Sequence, residues 1–233
     1  MSARLTLVEL RKATDTRAGV WLLVTIGVLA ALVVGLQLGF ADVKTWNSVV
    51  ANAQQPVSVL TPLLGLLLVT GEWSQRTALT TFVLVPARER IVAAKLAAAG
   101  LLSLATTAVG FAVAFAGLAS GGDWSFSGAV VVQLTLVNWL TMMFGTSFGL
   151  LLWQSAPAIV VYYVVPFAWT FVGRIVPGLD SVSPWLDIGQ SRAPLAEPGV
   201  TGREWAQLLT SSLLWIALPA VLGTLRIRRA DLG

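Results

Sequence analysis

The chain has 233 residues, of which 56% are hydrophobic and only 11% are charged, and its net charge is +4. Soluble domains usually contain about 25% charged residues, so lipid must solvate much of the apolar surface of this chain. Cysteine and histidine are both absent, which excludes disulfides, thiolate chemistry and the commonest general base and metal ligand. We therefore expect an integral membrane protein with no catalytic residue, no metal site and no cofactor of its own.

Residues 1–18 are rich in charge and precede the first long apolar run, and no signal-peptide cleavage site follows that run. A helical wheel separates two sides: Ala3, Leu7, Leu10 and Thr14 against Arg4, Arg11, Lys12 and Asp15. This pattern predicts an N-terminal helix that lies at the membrane interface. A charged anchor that only sets the topology is the alternative.

Six stretches are apolar enough to cross a bilayer, which takes roughly 20 residues. They cover residues 19–40, 56–71, 91–119, 129–153, 156–176 and 205–225. Their apolar runs are continuous, whereas the strands of a membrane barrel alternate apolar and polar residues. The chain is therefore predicted to be an all-α membrane protein with six transmembrane helices in one domain, residues 1–233.

The connection between the second and third spans, residues 72–90, contains a short amphipathic segment. Wound as a helix, the segment has two faces: Ala78, Leu79, Phe82 and Val83 against Arg76, Thr77, Thr80 and Thr81. Pro86 ends it, because proline lacks a donor and clashes with the preceding turn. We predict a surface helix whose polar face meets a partner, with a surface helix that has no partner as the alternative.

The sequence contains no complete catalytic motif. Residues 145–149 match the G-x-S-x-G pattern of serine hydrolases, but that chemistry needs a base and the chain has no histidine. We interpret Gly145 and Gly149 as a small-xxx-small face that lets two helices approach closely. The Gly-Lys dipeptide of a phosphate loop never occurs, so the chain alone is not expected to hydrolyse ATP.

The main polar residues inside the predicted spans are uncharged: Gln37, Thr106, Thr107, Gln133, Asn138, Tyr162 and Tyr163. No charged residue lies well inside a predicted span, which disfavours ion-coupled transport, and no filter-like loop supports a channel. Most of these groups are expected to hydrogen-bond between helices. Gln133, Asn138, Tyr162 and Tyr163 are the candidates for lining a substrate path.

Positive charge is concentrated on one side of the predicted bundle. Eleven lysines and arginines fall in residues 1–18, in the loop between spans two and three and in the C-terminal tail, against four in the other loops. By the positive-inside rule, both termini face the cytoplasm and residues 177–204 form an external loop. Prolines and apolar residues in that loop predict that part of it packs on the helix ends or dips into the interface. A solvated loop stiffened by proline is the alternative.

Polar residues around the amphipathic segment follow a recognisable order: Glu72, Arg76, Thr77, Pro86, Arg88 and Lys95. This order resembles the pattern Glu…Arg-(Gly/Thr)-Thr…Pro…Arg…Lys of ABC exporter permeases of the type-2 class, although many members have glycine where this chain has Thr77. The charged residues 9–12, the six-span layout and the basic C-terminal tail are similar as well, so the resemblance covers essentially the whole chain.

The resemblance implies the permease subunit of an ATP-driven exporter in the plasma or inner membrane. Such a permease forms a dimer, here with a second copy or a paralogue, and a separate cytoplasmic ATPase binds the coupling helix between spans two and three. The residues implied at that interface are Glu72, Gln75, Arg76, Thr77, Thr80, Thr81, Arg88 and Arg90. Arg76 either docks on the ATPase or only braces its own helix against Glu72.

The uncharged spans indicate an apolar or amphipathic cargo, and no nucleic-acid partner is expected. The alternative function is that of a non-transporting membrane scaffold or immunity protein that binds partners.

Overall fold

The computed structural model describes residues 3–41, 44–74, 87–121, 123–176, 178–179 and 181–229. Its helices in chain order are α1 (Ala3–Asp15), α2 (Arg17–Phe40), α3 (Trp46–Ser74), α4 (Arg88–Leu118), α5 (Gly128–Leu152), α6 (Ser155–Ile175), α7 (Ser183–Leu186), α8 (Ile188–Arg192), α9 (Gly202–Ser212) and α10 (Leu218–Arg229). The described ranges contain no strand, and six helical segments are long and apolar enough to cross a membrane. The prediction of an all-α chain with six such segments is confirmed.

The second span begins ten residues earlier than predicted, so the predicted start at residue 56 is wrong. Helix α3 begins at Trp46 and continues through Pro56 and Pro62. Polar residues such as Gln54 break the apolar run before residue 56. In the fold Gln54 is buried, and its side-chain amide donates to the carbonyl oxygen of Thr107 at 3.1 Å. A polar residue satisfied by a neighbouring helix can therefore lie within the span.

Local caps explain where several helices begin and end. The Thr16 hydroxyl accepts a hydrogen bond from the amide of Gly19, which separates α1 from α2. Trp153 has a left-handed backbone conformation with φ 63°, which ends α5 and turns the chain into α6. Thr201 and Glu204 form a reciprocal capping box at the start of α9.

Helices α3 and α5 cross at the centre of the bundle through glycines. A methyl group on Gly145 would overlap the carbonyl group of Pro62, and one on Gly149 would lie 3.0 Å from the carbonyl oxygen of Leu66. On the facing helix, a methyl group on Gly65 would overlap the side chain of Thr146. The two predicted packing glycines therefore lie where the backbones of α5 and α3 come closest.

The last span is a helix of mixed winding. Helices α9 and α10 are joined by a five-residue π-helical turn, Leu213–Ala217. Before this turn, the hydroxyl of Ser211 hydrogen-bonds that of Ser191 at 2.6 Å. After it, Gly223 packs against the backbone of Leu150 at the end of α5.

The segment between α6 and α9 folds onto the bundle rather than into solvent. It contains α7, α8 and a 3₁₀ turn, Ala193–Ala196. Ile188 and Leu195 are buried, and Ile188 packs among side chains of α3, α5 and α6. The indole of Trp215 donates to the carbonyl oxygen of Leu186 at 2.6 Å. The predicted packing of this loop on the helices is therefore present in the fold.

The two ends of the bundle differ in chemistry. At the end where α1 packs and α10 finishes, charged side chains of α1, α3, α4 and α10 meet. At the opposite end, the backbone amide of Asp123 donates to the carbonyl of Lys44. There the Trp46 ring lies 4.9 Å from that of Phe115 and 5.0 Å from that of Phe126. We call these the terminal end and the aromatic end.

Candidate functional site

Four charged side chains meet at the terminal end, and we call them the charge cluster: Glu9 and Lys12 of α1, Glu72 of α3 and Lys95 of α4. The Lys12 ammonium lies 2.9 Å from a Glu9 oxygen and 2.6 Å from a Glu72 oxygen. The Lys95 ammonium lies 2.6 Å and 3.2 Å from the second oxygens of the same two carboxylates. Each charge thus contacts two charges of opposite sign, and the cluster is electrically neutral.

The charge cluster is largely shielded from solvent. The side chains of Glu9 and Lys95 are each 5% exposed and that of Glu72 is 10% exposed, while Lys12 at the rim is 40% exposed. Lys95 also donates to the carbonyl oxygen of Leu68 at 3.0 Å. Buried ion pairs add little stability over apolar residues of the same shape, but breaking one costs about 3–5 kcal/mol. The cluster therefore fixes one position of α1 on α3 and α4.

The charge cluster defines which face of α1 lies against the bundle. Glu9 is 4% exposed, whereas Leu7, on the apolar side of the helical wheel, is 57% exposed. The buried face of α1 consists of Thr6, Glu9 and Ala13. Two lysines compensate the Glu9 carboxylate, so this face can be buried although it is not the most apolar one.

Lys12 keeps its charge in this setting. Burial alone would lower the pKa of Lys12, but hydrogen bonds to Glu72 and Glu9 and their negative charges raise it above the ordinary value of 10.5. A lysine whose pKa is raised by folding contributes stability below its unfolded pKa, and that stability is lost as the pH rises through the folded pKa. The contribution of Lys12 is therefore fully present at neutral pH.

The charge cluster flanks the predicted coupling segment. Glu72 lies near the end of α3, and Lys95 lies inside α4, within the predicted third span. Five predicted coupling residues lie outside the described residues: Gln75, Arg76, Thr77, Thr80 and Thr81.

The remaining predicted coupling residues take different environments. Glu72 is buried in the charge cluster and Arg90 is exposed. The Arg88 guanidinium donates to the carbonyl oxygen of Ile227 at 2.7 Å, and Glu89 forms a 2.7 Å ion pair with Arg228. The start of α4 is therefore joined to the end of α10 as well as to α1.

A cavity of about 480 Å³ lies between α3, α5, α6 and the segment around α8. Its buried wall includes polar side chains of Gln54, Asn138, Thr141 and Tyr162, and exposed residues such as Tyr163 form its rim. Small-molecule sites in proteins typically have volumes of about 300–1,000 Å³. We call this space the polar cavity.

Hydrogen bonds between helices hold the inner wall of the polar cavity. The Asn138 amide donates to the side-chain oxygen of Gln54 at 2.8 Å, and Gln54 donates onward to the Thr107 carbonyl. At the rim, the Tyr163 hydroxyl donates to the carbonyl oxygen of Val59 at 2.6 Å. The wall is thus a connected network across α3, α4 and α5, with a separate tie from α6.

Three of the four predicted path residues line the polar cavity. Asn138, Tyr162 and Tyr163 contribute to its surface. Gln133 is buried in α5 away from it, and its side-chain oxygen has no hydrogen-bond partner among the described residues.

Sequence reasoning missed Arg192 as a cavity residue. Its Nε donates to the carbonyl oxygen of Ile188 at 2.7 Å, and its Nη1 donates to the hydroxyl of Thr141 in the middle of α5. Arg192 lines the polar cavity. A charged residue in a proline-containing loop is normally expected to be exposed to solvent. The sequence feature that could have pointed to Arg192 was the run of apolar residues around Trp185 and Ile188, which predicted packing of the loop on the bundle.

The described residues offer no group of three or more carboxylates that could hold a metal ion. Their chemistry is that of hydrogen bonding and ion pairing. The sequence matches no protein-family model, and it matches no curated protein.

Proposed function

We propose that this chain is the permease subunit of an ATP-driven exporter of the type-2 ABC class. It acts as a dimer with a second copy or a paralogue, in a plasma or inner membrane, with both termini cytoplasmic. A separate cytoplasmic ATPase supplies the free energy and binds the segment between α3 and α4. The cargo is apolar or amphipathic.

The observation that carries the proposal is the charge cluster. It joins α1 to the two helices that flank residues 75–86, because Glu72 and Lys95 both bind Glu9 or Lys12 through short ion pairs. A push on that segment would therefore move α1, α3 and α4 together.

The polar cavity supports transport over a purely structural role. It is large enough for a small amphiphile, and α3 lines it before ending at the charge cluster. A single helix thus connects the segment proposed to receive the motion with the space proposed to hold the cargo.

The test is co-purification of the ATPase. Affinity-tagged chain, extracted from its own membranes in a mild detergent, should carry an ATPase with a phosphate loop in about equal molar amount. The complex should hydrolyse ATP in a vanadate-sensitive manner, and the isolated chain should not. Absence of any such ATPase would favour the scaffold alternative.

Arg76→Glu should abolish both ATPase binding and transport, because a bidentate pair with a carboxylate of the partner would become a repulsion. Arg203→Glu is the matched control, since Arg203 is exposed in the opposite half of the predicted topology. Normal ATPase binding and transport in Arg76→Glu would contradict docking through this residue.

A further inference from the structure

Arg192 carries the only fixed charge among the described residues that line the polar cavity. No described carboxylate lies within ion-pair distance of its guanidinium. Arginine is not deprotonated in proteins, so the charge is permanent. A cation with no carboxylate in direct contact, in a partly buried cavity, creates a positive potential that a bound anion would relieve.

The nearby Asp187 cannot serve as that counterion by direct contact. One of its oxygens caps α8 by accepting from the backbone amides of Gly189 and Gln190 at 2.8 and 3.0 Å. The other accepts from the Thr170 hydroxyl at 2.6 Å and from the Gln190 side chain at 3.3 Å. Its role is to hold α8, and hence Arg192, against the bundle.

The donors of Arg192 are only partly used. Within the described part of the chain, its hydrogen bonds to Ile188 and Thr141 occupy two of the five N–H groups of the guanidinium. These two bonds fix the orientation of the planar group. The remaining N–H groups match the bidentate geometry of a carboxylate or phosphate.

Apolar side chains also line the polar cavity. Leu134, Val137, Phe144 and Pro166 line it, and Val59 on the rim is half exposed. A ligand that satisfied both parts would carry an anionic head and an apolar tail. The cavity volume suits such a molecule of small-molecule size.

We propose that the polar cavity binds an amphiphile with an anionic headgroup, whose carboxylate or phosphate pairs with Arg192 while its tail lies along the apolar wall toward Val59. This inference rests on the proposed function for its transport meaning, because it names the class of cargo, but the binding site itself requires no ATPase.

The test is ligand binding to the full chain purified in a neutral maltoside detergent without any partner. The probes are octyl phosphate, octanoate, inorganic phosphate and octyl glucoside, with affinity measured by calorimetry. We expect octyl phosphate or octanoate to bind, and inorganic phosphate and octyl glucoside to bind at least about tenfold more weakly. The preferred member of the first pair identifies the headgroup.

Arg192→Gln should weaken binding of the preferred anionic amphiphile by about tenfold or more, and Arg192→Lys should retain part of the affinity. Arg203→Gln, which removes an exposed cation, is the matched control and should bind normally. Ala51→Phe keeps Arg192 and fills the cavity from α3, so it should also lose binding. Thermal melting and size-exclusion profiles verify that each variant is folded.

Three results would each overturn the proposal. The first is that octyl glucoside binds as tightly as the anionic amphiphile, and the second is that Arg192→Gln or Ala51→Phe binds the amphiphile normally. The third is that Arg203→Gln loses as much affinity as Arg192→Gln. Tight binding of inorganic phosphate alone would overturn the amphiphile. Failure of this experiment together with successful ATPase co-purification would remove the cargo assignment and leave the permease function intact. Successful ligand binding without ATPase co-purification would leave the binding site intact and remove the assignment as a permease.

Discussion

At the scale of single residues, buried charged side chains in this chain have two kinds of partner. In the charge cluster, each charged group contacts two opposite charges at 2.6–3.2 Å. Arg192 instead has a hydroxyl and a backbone carbonyl as partners. In the charge cluster every charge is paired with opposite charges, which suits a structural connection. Arg192 has no direct ion pair, and it lies in a cavity.

Lys95→Met should destabilise the protein by about 3–5 kcal/mol, because it leaves Glu9 and Glu72 buried with one cation between them. The measurement is the free energy of unfolding in detergent, or the thermal midpoint. Adding Glu9→Leu to Lys95→Met should recover much of the loss, since one cation and one anion then remain as the Lys12–Glu72 pair.

The control for this series is Glu89→Gln. Glu89 pairs with Arg228, but its side chain is 66% exposed, and exposed pairs contribute about 0–1 kcal/mol. Equal losses in Lys95→Met and Glu89→Gln, or a further loss in the Lys95→Met/Glu9→Leu variant, would contradict the account of the charge cluster.

The charge cluster shows what sequence could and could not supply at this scale. The resemblance drew attention to each of its members through the charged N-terminal residues and the Glu72…Lys95 order. Their pairing joins residues 60 and 86 positions apart, and no local periodicity encodes such distances. Arg192 was missed for the same reason, because its partner Thr141 lies 51 positions earlier in the chain.

At the scale of elements, the crossing of α3 and α5 depends on missing side chains. Gly145→Ala should destabilise the protein by about 1–3 kcal/mol, because the added methyl group meets the backbone of Pro62 and cannot be accommodated by a rotamer change. Gly35→Ala in α2 is the control, since no atom lies within 4 Å of the added group there.

Gly35→Ala should be neutral or stabilising by up to about 1 kcal/mol, the usual gain in a helix interior. Thermal melting of both variants makes the comparison. A Gly145→Ala protein as stable as the Gly35→Ala protein would show that α5 can move away from α3 without cost.

The helix-bracing hypothesis for Arg76 needs a different test in light of the fold. A charge reversal of Glu72 and Arg76 together would be the usual test of an i,i+4 pair. Glu72 already contacts Lys12 and Lys95, so Glu72→Lys would bring three cations together and destabilise the bundle by itself. Single substitution of Arg76, with ATPase binding as the readout, avoids this confusion.

Element boundaries followed from the sequence where apolar runs were unbroken. Five of the six predicted spans overlap their helices almost completely, although the last helix extends a few residues further at each end. The second failed at its start because Asn47, Gln54 and Gln55 interrupt the run. Gln54 fits within the span because a neighbouring helix accepts its hydrogen bond, and that neighbour is not visible in one chain segment.

At the scale of the whole molecule, orientation across the membrane remains a prediction from charge. Because the chain contains no cysteine, single cysteines can be introduced at Arg90 and Arg203, both of which are exposed. On intact cells, an impermeant thiol reagent should label Arg203→Cys and not Arg90→Cys. The reverse pattern would invert the topology and with it the proposed cytoplasmic ATPase contact.

The π-helical turn in the last span determines which side of the helix after the turn faces the bundle. Ser211 contacts Ser191 of α8, whose neighbour Arg192 bonds Thr141 of α5, and Gly223 contacts the backbone of Leu150 in α5. In an uninterrupted α-helix, residues this far apart would point about a third of a turn away from each other. The wider turn advances less per residue and brings the two contacts back into line. The last span thus keeps these two contacts on one side, and the end of the same span places Arg228 2.7 Å from Glu89 at the start of α4.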